Sequence, residues 1–495
     1  MTPPWRTLRA SLRMHILEFG DILARREDLW FLPVSASQRW CLMRAKPRTC
    51  SLRKLVSLIA LTGTLASTAW AAGKYKVLYA FKGGNDGNYP SGALILDAAG
   101  NLYGSTIFGG GDQQYCSGLD PGCGTVFMLT PGSKGKWKET VLHRFQSGND
   151  SSDGSAPNGA LVLDAAGNLY GTTISGGGSS QQCSSGAGAG CGTAFELVPS
   201  SGGHWKETVL YRFQINAGGA GPNGGLVFDN SGNLYGTAVA AANCCAPIFD
   251  WGAGVVFQLT PGSGGWSEKV LHSFCGKRNC SDGNAPYSGL LRTSDGALYG
   301  TTAYGGEDFF PCFSLGCGTV FQLTGNSKGK WSEQVLNDFM GRDGIQPSNS
   351  LTADKEGNLY GTTAVEGAFG DGTVFKLAPT KDGRWTFSVI YNFDISYAGA
   401  GSFSTGVVFD SAGNLYGTVW GPEQGNCAGG GCGFVYKLEP RLKGPWKYSV
   451  VYAFHGGSEG GDPTGTLIID KNGNLYGTAG FGGAGGDGVV FEITP

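Results

Sequence analysis

Asp86, Asp153, Asp282 and Asp343 each precede a glycine in segments that recur along the chain, and Asp462 stands nearby in the last of them. Two carboxylates brought together can do general acid–base work on a glycosidic bond, and several can hold calcium through their oxygens. Asp-Gly is also a common turn pair, and its return in copy after copy favours the turn. A second set is aromatic. Phe108, Tyr304 and Phe481 occupy matching positions after a recurring hexapeptide, Trp420 lies one residue off, and Tyr89, Tyr287 and Phe403 stand in the segments that join copies. Rings on a polar, glycine-rich rim suit stacking on sugars or prolines; they also suit the plain task of covering a core. Nothing resembles an activated nucleophile. His143 and His272 take a place that other copies fill with Tyr79, Tyr211, Tyr391 or Tyr452, as structural alternates would. No Walker loop, dinucleotide fingerprint or HExxH is present. No catalytic residue is assigned and no cofactor is expected, calcium at the acidic set being the one alternative.

Cysteine spacing carries a different chemistry. Of 14 cysteines, 12 follow residue 72, and ten of these form close pairs: Cys116 with Cys123, Cys183 with Cys191, Cys275 with Cys280, Cys312 with Cys317, and Cys427 with Cys432. Local even pairs in an exported chain read as disulfides. Zinc would need two more ligands per pair, and there are only five histidines. Closing a loop of eight residues restricts the unfolded chain by about 2.5 kcal/mol in the entropy model. Cys244 and Cys245 stand outside this scheme: a vicinal bond, pairing elsewhere and free thiols all remain open.

These residues hang on a repeat. Gly-Asn-Leu-Tyr-Gly-Thr or a near copy occurs seven times, with its tyrosine at Tyr103, Tyr170, Tyr235, Tyr299, Tyr360, Tyr416 and Tyr476. Each copy holds an apolar run such as GALILD, an Asp-x-x-Gly-Asn turn, the Leu-Tyr-Gly-Thr segment, a Gly-Thr-Val-Phe-x-Leu segment, and a run from a tryptophan to Val-Leu-x-x-Phe. All are short, β-branched or aromatic, and bounded by Gly, Pro, Asn and Asp, which is the strand signal. Four strands in each of seven copies predict an all-β, seven-bladed β-propeller over residues 73–495. The last copy ends at Pro495 after its third strand, and the segment from Lys74 to Phe81 is a fourth strand with no blade before it. The N-terminal strand is therefore expected to close the last blade and remove the open edge.

The connections differ in length by end. First-to-second and third-to-fourth turns are short. Second-to-third loops, such as 106–123 and 173–191, and the inter-blade loops are long and share the other end. The five cysteine pairs, the acidic set and the aromatic set therefore belong to one face, and long stapled loops on a rigid scaffold are where binding usually lives.

Residues 1–72 stand outside the repeat. An apolar run at 55–68 follows Arg53 and Lys54 and leads to Ala69-Trp70-Ala71, the form of a secretory signal peptide cleaved near Ala71. The basic pair lies far from residue 1, so Met43 is the expected true start. The formal net charge is −2, but residues 1–72 hold 11 of the 36 basic and 4 of the 38 acidic residues. The remainder carries about −9, which argues against nucleic acid and anionic membranes as partners. We expect no membrane insertion of the mature chain and a secreted or periplasmic monomer.

The unit GNLYGTT…GTVFKLTP…W…VLYSF resembles the GloVer tandem repeat of bacterial exported proteins, over residues 74–495 and all seven copies. The Asp-x-x-Gly-Asn-Leu-Tyr turn is more weakly similar to NHL-type propeller hairpins. Blade three departs with Gly-Val-Val-Phe, and blade four with Thr293 and Ala297 where others have Asp and Asn. The resemblance implies export and repetition and no catalytic residues. The resulting expectation is a non-enzymatic propeller that binds or scaffolds at the cell surface or in the periplasm, its partner a surface glycan or protein. The alternative is a polysaccharide-active hydrolase or lyase using loop carboxylates at the channel mouth.

Overall fold

The computed structural model describes residues 73–111, 122–146, 153–178, 183, 190–215, 218–240, 253–307, 312, 316–394, 403–420 and 432–495. Residues 1–72, which hold the expected leader, and Cys116, Cys244, Cys245 and Cys427 lie outside the described residues, as does the side chain of Phe403. The described residues form seven antiparallel sheets and no α-helix, a seven-bladed propeller. In blade one Leu102–Phe108 pairs with Thr125–Pro131, which pairs with Trp137–Arg144. Ring closure is as expected from the sequence. Lys74–Ala80 pairs with Val489–Thr494, Lys74 opposite Thr494 and Ala80 opposite Val489.

The innermost strand differs from expectation. GALILD contributes only Ile95–Leu96, and a separate segment, Asn88–Pro90, pairs further up the same neighbour. Between them runs a stretch shaped by close approach of blades at the axis. A side chain added at Gly92 would meet the Asn158 carbonyl oxygen at 2.8 Å, and one at Gly465 the Gly92 carbonyl oxygen at 2.7 Å. Polar ties span the same level: Asn158 Nδ2 donates to Asn223 Oδ1 (2.6 Å), Thr237 to the Ser288 carbonyl (2.7 Å) and Thr464 to the Pro90 carbonyl (2.9 Å).

The recurring motifs are explained by packing. In LYGT the glycine seats the third-strand phenylalanine: a Cβ on Gly361 would lie 2.5 Å from Phe375 Cζ, and the equivalent holds at Gly104, Gly171, Gly236, Gly300 and Gly477. That phenylalanine, or Tyr436 in blade six, meets the phenylalanine ending the fourth strand of the preceding blade. All seven such pairs have centroids 4.9–5.2 Å apart, from Phe81–Phe127 to Phe454–Phe491. Each pair adds about 1 kcal/mol beyond burial. The Asp-x-x-Gly-Asn turn is equally specific. Asp97 Oδ1 accepts the N–H groups of Ala99 and Asn101, and Oδ2 accepts Asn101 Nδ2 and the Tyr103 hydroxyl. Burial pushes the Asp97 carboxyl up, but these bonds together hold it below its ordinary value.

Cys183–Cys191, Cys275–Cys280 and Cys312–Cys317 are disulfides. Cys123 and Cys432 are also disulfide-bonded; their expected partners lie outside the described residues. Such bonds fit an oxidising compartment. Among the described residues no helix is long and apolar enough to cross a membrane.

Candidate binding site at the loop-bearing face

The acidic set divides once its depth is visible. Asp86 accepts the Tyr79 hydroxyl (2.7 Å) and the Lys82 N–H (2.9 Å). Asp153 faces His143 Nε2 at 3.2 Å and takes the N–H groups of Gln146 and Gly154. Asp282, 1% exposed, lies 3.4 Å from His272 Nε2 and accepts Gly276 and Lys277 N–H groups. Burial pushes its carboxyl up, and the imidazole and backbone donors outweigh that and keep it low. All three tie a fourth-strand Tyr or His to the loop that follows it. Asp343 offers its carbonyl to Thr373 Oγ1 at 2.9 Å.

Asp462 does not belong to this series. Its blade fills the Asp86 role with Glu459, which accepts the Tyr452 hydroxyl at 2.7 Å. Asp462 instead holds the place of Tyr89, immediately before a proline. That position is left-handed in six blades: Tyr89, Ala156, Gly221, Ala285, Gln346 and Asp462 have φ of 55–65°. Left-handed backbone before proline is costly for a residue with a side chain. Here each N–H is fixed to a carbonyl of the preceding blade: Tyr89 to Asp487, Ala156 to Cys123, Gly221 to Cys191, Ala285 to Ala253, Gln346 to Cys317 and Asp462 to Cys432, all within 2.8–3.1 Å. The backbone is thus repeated while the residue it presents ranges from Gly and Ala to Gln, Tyr and Asp.

Around Asp462 the side chains form a distinct cluster. The residue is 8% exposed. Its side chain makes no hydrogen bond or ion pair with a described residue, and burial alone pushes its carboxyl up to about 7. In the ladder it lies opposite Gly480, between the pairs Gly461–Phe481 and Pro463–Ala479. The Tyr89 ring crosses that glycine, so a Cβ there would meet Tyr89 Cε2 at 2.8 Å. Tyr89 stands edge-on to Phe481 at 5.1 Å and to Phe108 at 6.3 Å. Burial, and after it the Asp462 charge, hold the Tyr89 phenol far above its ordinary value. Phe108 is half-buried, while Phe481 is left 54% exposed.

The remaining aromatic candidates lie elsewhere on the ring. In blade four Tyr304 is buried, bridged through its backbone to Asn284. Tyr287 keeps 37% exposure, although burial raises its phenol. Trp420, half-buried, ends the strand Leu415–Trp420 of blade six. The six rings therefore do not form one patch; Tyr89, Phe108 and Phe481 do, across the junction of blades seven and one. Among the described residues no group of three or more His, Cys, Asp or Glu is arranged to hold a metal ion. A recess at the opposite end, lined by Asp164, Tyr170, Phe228, Asp229 and Trp266, consists largely of residue types that recur in the repeat.

The model of the Gloeobacter/Verrucomicrobia repeat matches residues 60–307, 182–429 and 248–491. The chain belongs to that family. No curated protein matches it in sequence. Solved structures similar to this Gloeobacter/Verrucomicrobia repeat protein include a gluconolactonase from Xanthomonas campestris, with 14% identity over 70% of this chain and 86% of that one, TM-score 0.37. A putative oxidoreductase (glucose dehydrogenase) from Thermus thermophilus has 15% identity over 85% and 99%, TM-score 0.37. A Dyadobacter fermentans protein of unknown function has 10% identity over 85% and 97%, TM-score 0.42.

Two features of this repeat protein escape a reading by motif. Asp487 takes the pre-glycine place that cysteine holds in blades one, two, four and six, and accepts Asn88 Nδ2 at 2.9 Å. Two residues after the fourth-strand tryptophans Trp137, Trp205, Trp266 and Trp331 stand Glu139, Glu207, Glu268 and Glu333, at four blade junctions, each with one carboxylate oxygen buried and unpartnered. Their recurrence in WKET and WSE is the available signal.

Proposed function

We propose that the protein is an exported, non-enzymatic propeller that binds a saccharide at the loop-bearing face, across the junction of blades seven and one. The reading rests on the Tyr89–Phe108–Phe481 cluster. A sugar face stacks on an exposed ring at small entropic cost, and Phe481 offers such a ring beside that of Tyr89. The leader at 55–71 supplies the route of export, and the disulfides suit the destination. The test is a glycan array with the purified protein, followed by titration of any ligand found. Phe481→Ala and Tyr89→Ala should each weaken it tenfold or more, and Ala98→Ser on the opposite end should not. Ligand affinity indifferent to both rings would sink the reading.

A second reading is a polysaccharide-active enzyme with Asp462 as its acid. The favouring observation is a buried carboxyl pushed up to about 7, where a general acid works best. Against it, such enzymes use two carboxyl groups, and no second charged group among the described residues acts on Asp462. Product formation from an array-positive polysaccharide, lost in Asp462→Asn, would favour this reading over the first.

A further inference from the structure

We infer that the saccharide held at this junction carries a free amino group, whose ammonium is received by Asp462 within the Tyr89–Phe108–Phe481 cluster; the inference rests on the saccharide reading above. A carboxylate that is 8% exposed ordinarily has a hydrogen-bonding or cationic partner, because an unpaired buried charge is expensive. Asp86, Asp153 and Asp282 obey that rule with Tyr, His and backbone donors. Asp462 has no such partner among the described residues, and its carboxyl is correspondingly pushed towards the neutral form.

What surrounds it selects the missing partner. A neutral hydroxyl pairs with the protonated carboxyl but leaves the charge of its ionised form uncompensated. An ammonium satisfies both oxygens and is also attracted to the faces of aromatic rings. Three rings stand at this place, with Tyr89 crossing Gly480 directly opposite Asp462. Gly480 itself is part of the argument: its counterparts are Ile107, Ile174, Val239, Ala303, Ala364 and Trp420, and none of these would leave room for the Tyr89 ring. Among the described residues no basic side chain competes for the carboxylate, and the one titratable neighbour that registers its charge is Tyr89. The ligand class is therefore an oligosaccharide with unacetylated amino sugars.

The experiment titrates the full chain with a glucosamine hexamer and with its fully N-acetylated counterpart, near neutral pH and at low salt, with a lysine-rich peptide as a third arm. The glucosamine oligomer should bind at least tenfold more tightly than the acetylated one. Asp462→Asn, which keeps the shape of the side chain, should abolish that preference while retaining the weaker binding, and a melting curve confirms its fold. Phe481→Ala should weaken both sugars. Equal affinity for the two sugars, or a preference that survives in Asp462→Asn, overturns the inference and leaves the saccharide reading standing. Binding of the peptide alone, dependent on Asp462, overturns the saccharide reading and this inference with it. So does an absence of binding to any sugar.

Discussion

Asp462 places its own signature on stability. Its carboxyl is pushed from 3.8 to about 7, so the folded state holds the proton more tightly than the unfolded chain. The sign follows from that: below about pH 4 both states are protonated and nothing is lost, and stability falls as pH rises through about 7. A carboxyl raised that far above its ordinary value costs about 4 kcal/mol at most once it ionises. Asp462→Asn cannot ionise, so its melting temperature should rise relative to wild type as pH goes from 4 to 8, with little difference at the acid end. A difference that stays flat across that range would show that Asp462 is not buried and alone. Gly361 offers a second test at this scale. A methyl group there would stand 2.5 Å from Phe375 Cζ and 2.9 Å from Leu351 Cδ2. Gly361→Ala should cost about 1–3 kcal/mol by overpacking, and Phe375→Leu in the same chain should recover part of it. Denaturant midpoints of the two variants decide the matter.

Strands are legible in the sequence because each is short, apolar and punctuated, and because seven copies average out the noise of any one. The hexapeptide locates every second strand, and the unpaired Lys74–Phe81 run announces the closure. The inner strand is where composition misleads. GALILD has the residues of a strand, but the blades converge at Gly92, Gly159 and Gly224 so closely that backbone meets backbone, and the ladder breaks there. Asp462 falls in with Asp86 by motif because both sit in the same glycine-rich segment. Sequence carries no depth, and the residue that replaces Asp86 in the last blade is a glutamate, Glu459. Closure itself is testable. Removing 74–81 strips Val489–Thr494 of its outer partner, leaving only Leu475–Phe481 beside it, and takes Phe81 from its pair with Phe127. The truncated chain should melt far lower than wild type or aggregate through the bared edge. Shortening the exposed turn at 441–444 should shift melting by a few degrees at most. Equal melting of the two variants would mean that the ring does not depend on this strand.

At the scale of the whole molecule, the ring is a circle of blade interfaces, and its outer belt is not uniform. Three junctions lack the glutamate: Tyr391 stacks on Tyr448 at 4.7 Å, Tyr75 stacks on Tyr452 at 4.2 Å, and in the third Phe387 packs on Phe339 and Phe375, with Asn337 where the others have Tyr or His. The other four carry the glutamates. Glu139, Glu207 and Glu268 are each pushed up to about 7, mainly by burial. Asp86 adds to the effect at Glu139, opposed by Arg144 and Lys82; Asp153 adds at Glu207, opposed by His143 and Arg212; the Tyr211 hydroxyl opposes it at Glu268. Glu333 forms an ion pair, with Lys277 Nζ 2.7 Å away. Raised carboxyls stabilise in the protonated form, so these junctions are tightest below about pH 4.5 and loosen as pH rises through 7. The turn aspartates act the other way, since Asp97, Asp164, Asp229, Asp354, Asp410 and Asp470 are held low and lose their contribution only in strong acid. Their balance puts the stability maximum on the acid side of neutrality, near pH 5. Because each glutamate is partly exposed, screening leaves about 1 kcal/mol or less per site. The triple variant Glu139→Gln, Glu207→Gln, Glu268→Gln should make the decline between pH 5 and 8 shallower, leaving the part that belongs to Asp462, with the acid limb unchanged, as read by melting temperature against pH. A wild-type maximum above pH 7, or a triple variant with the wild-type profile, would show that the belt does not titrate as a unit of the ring.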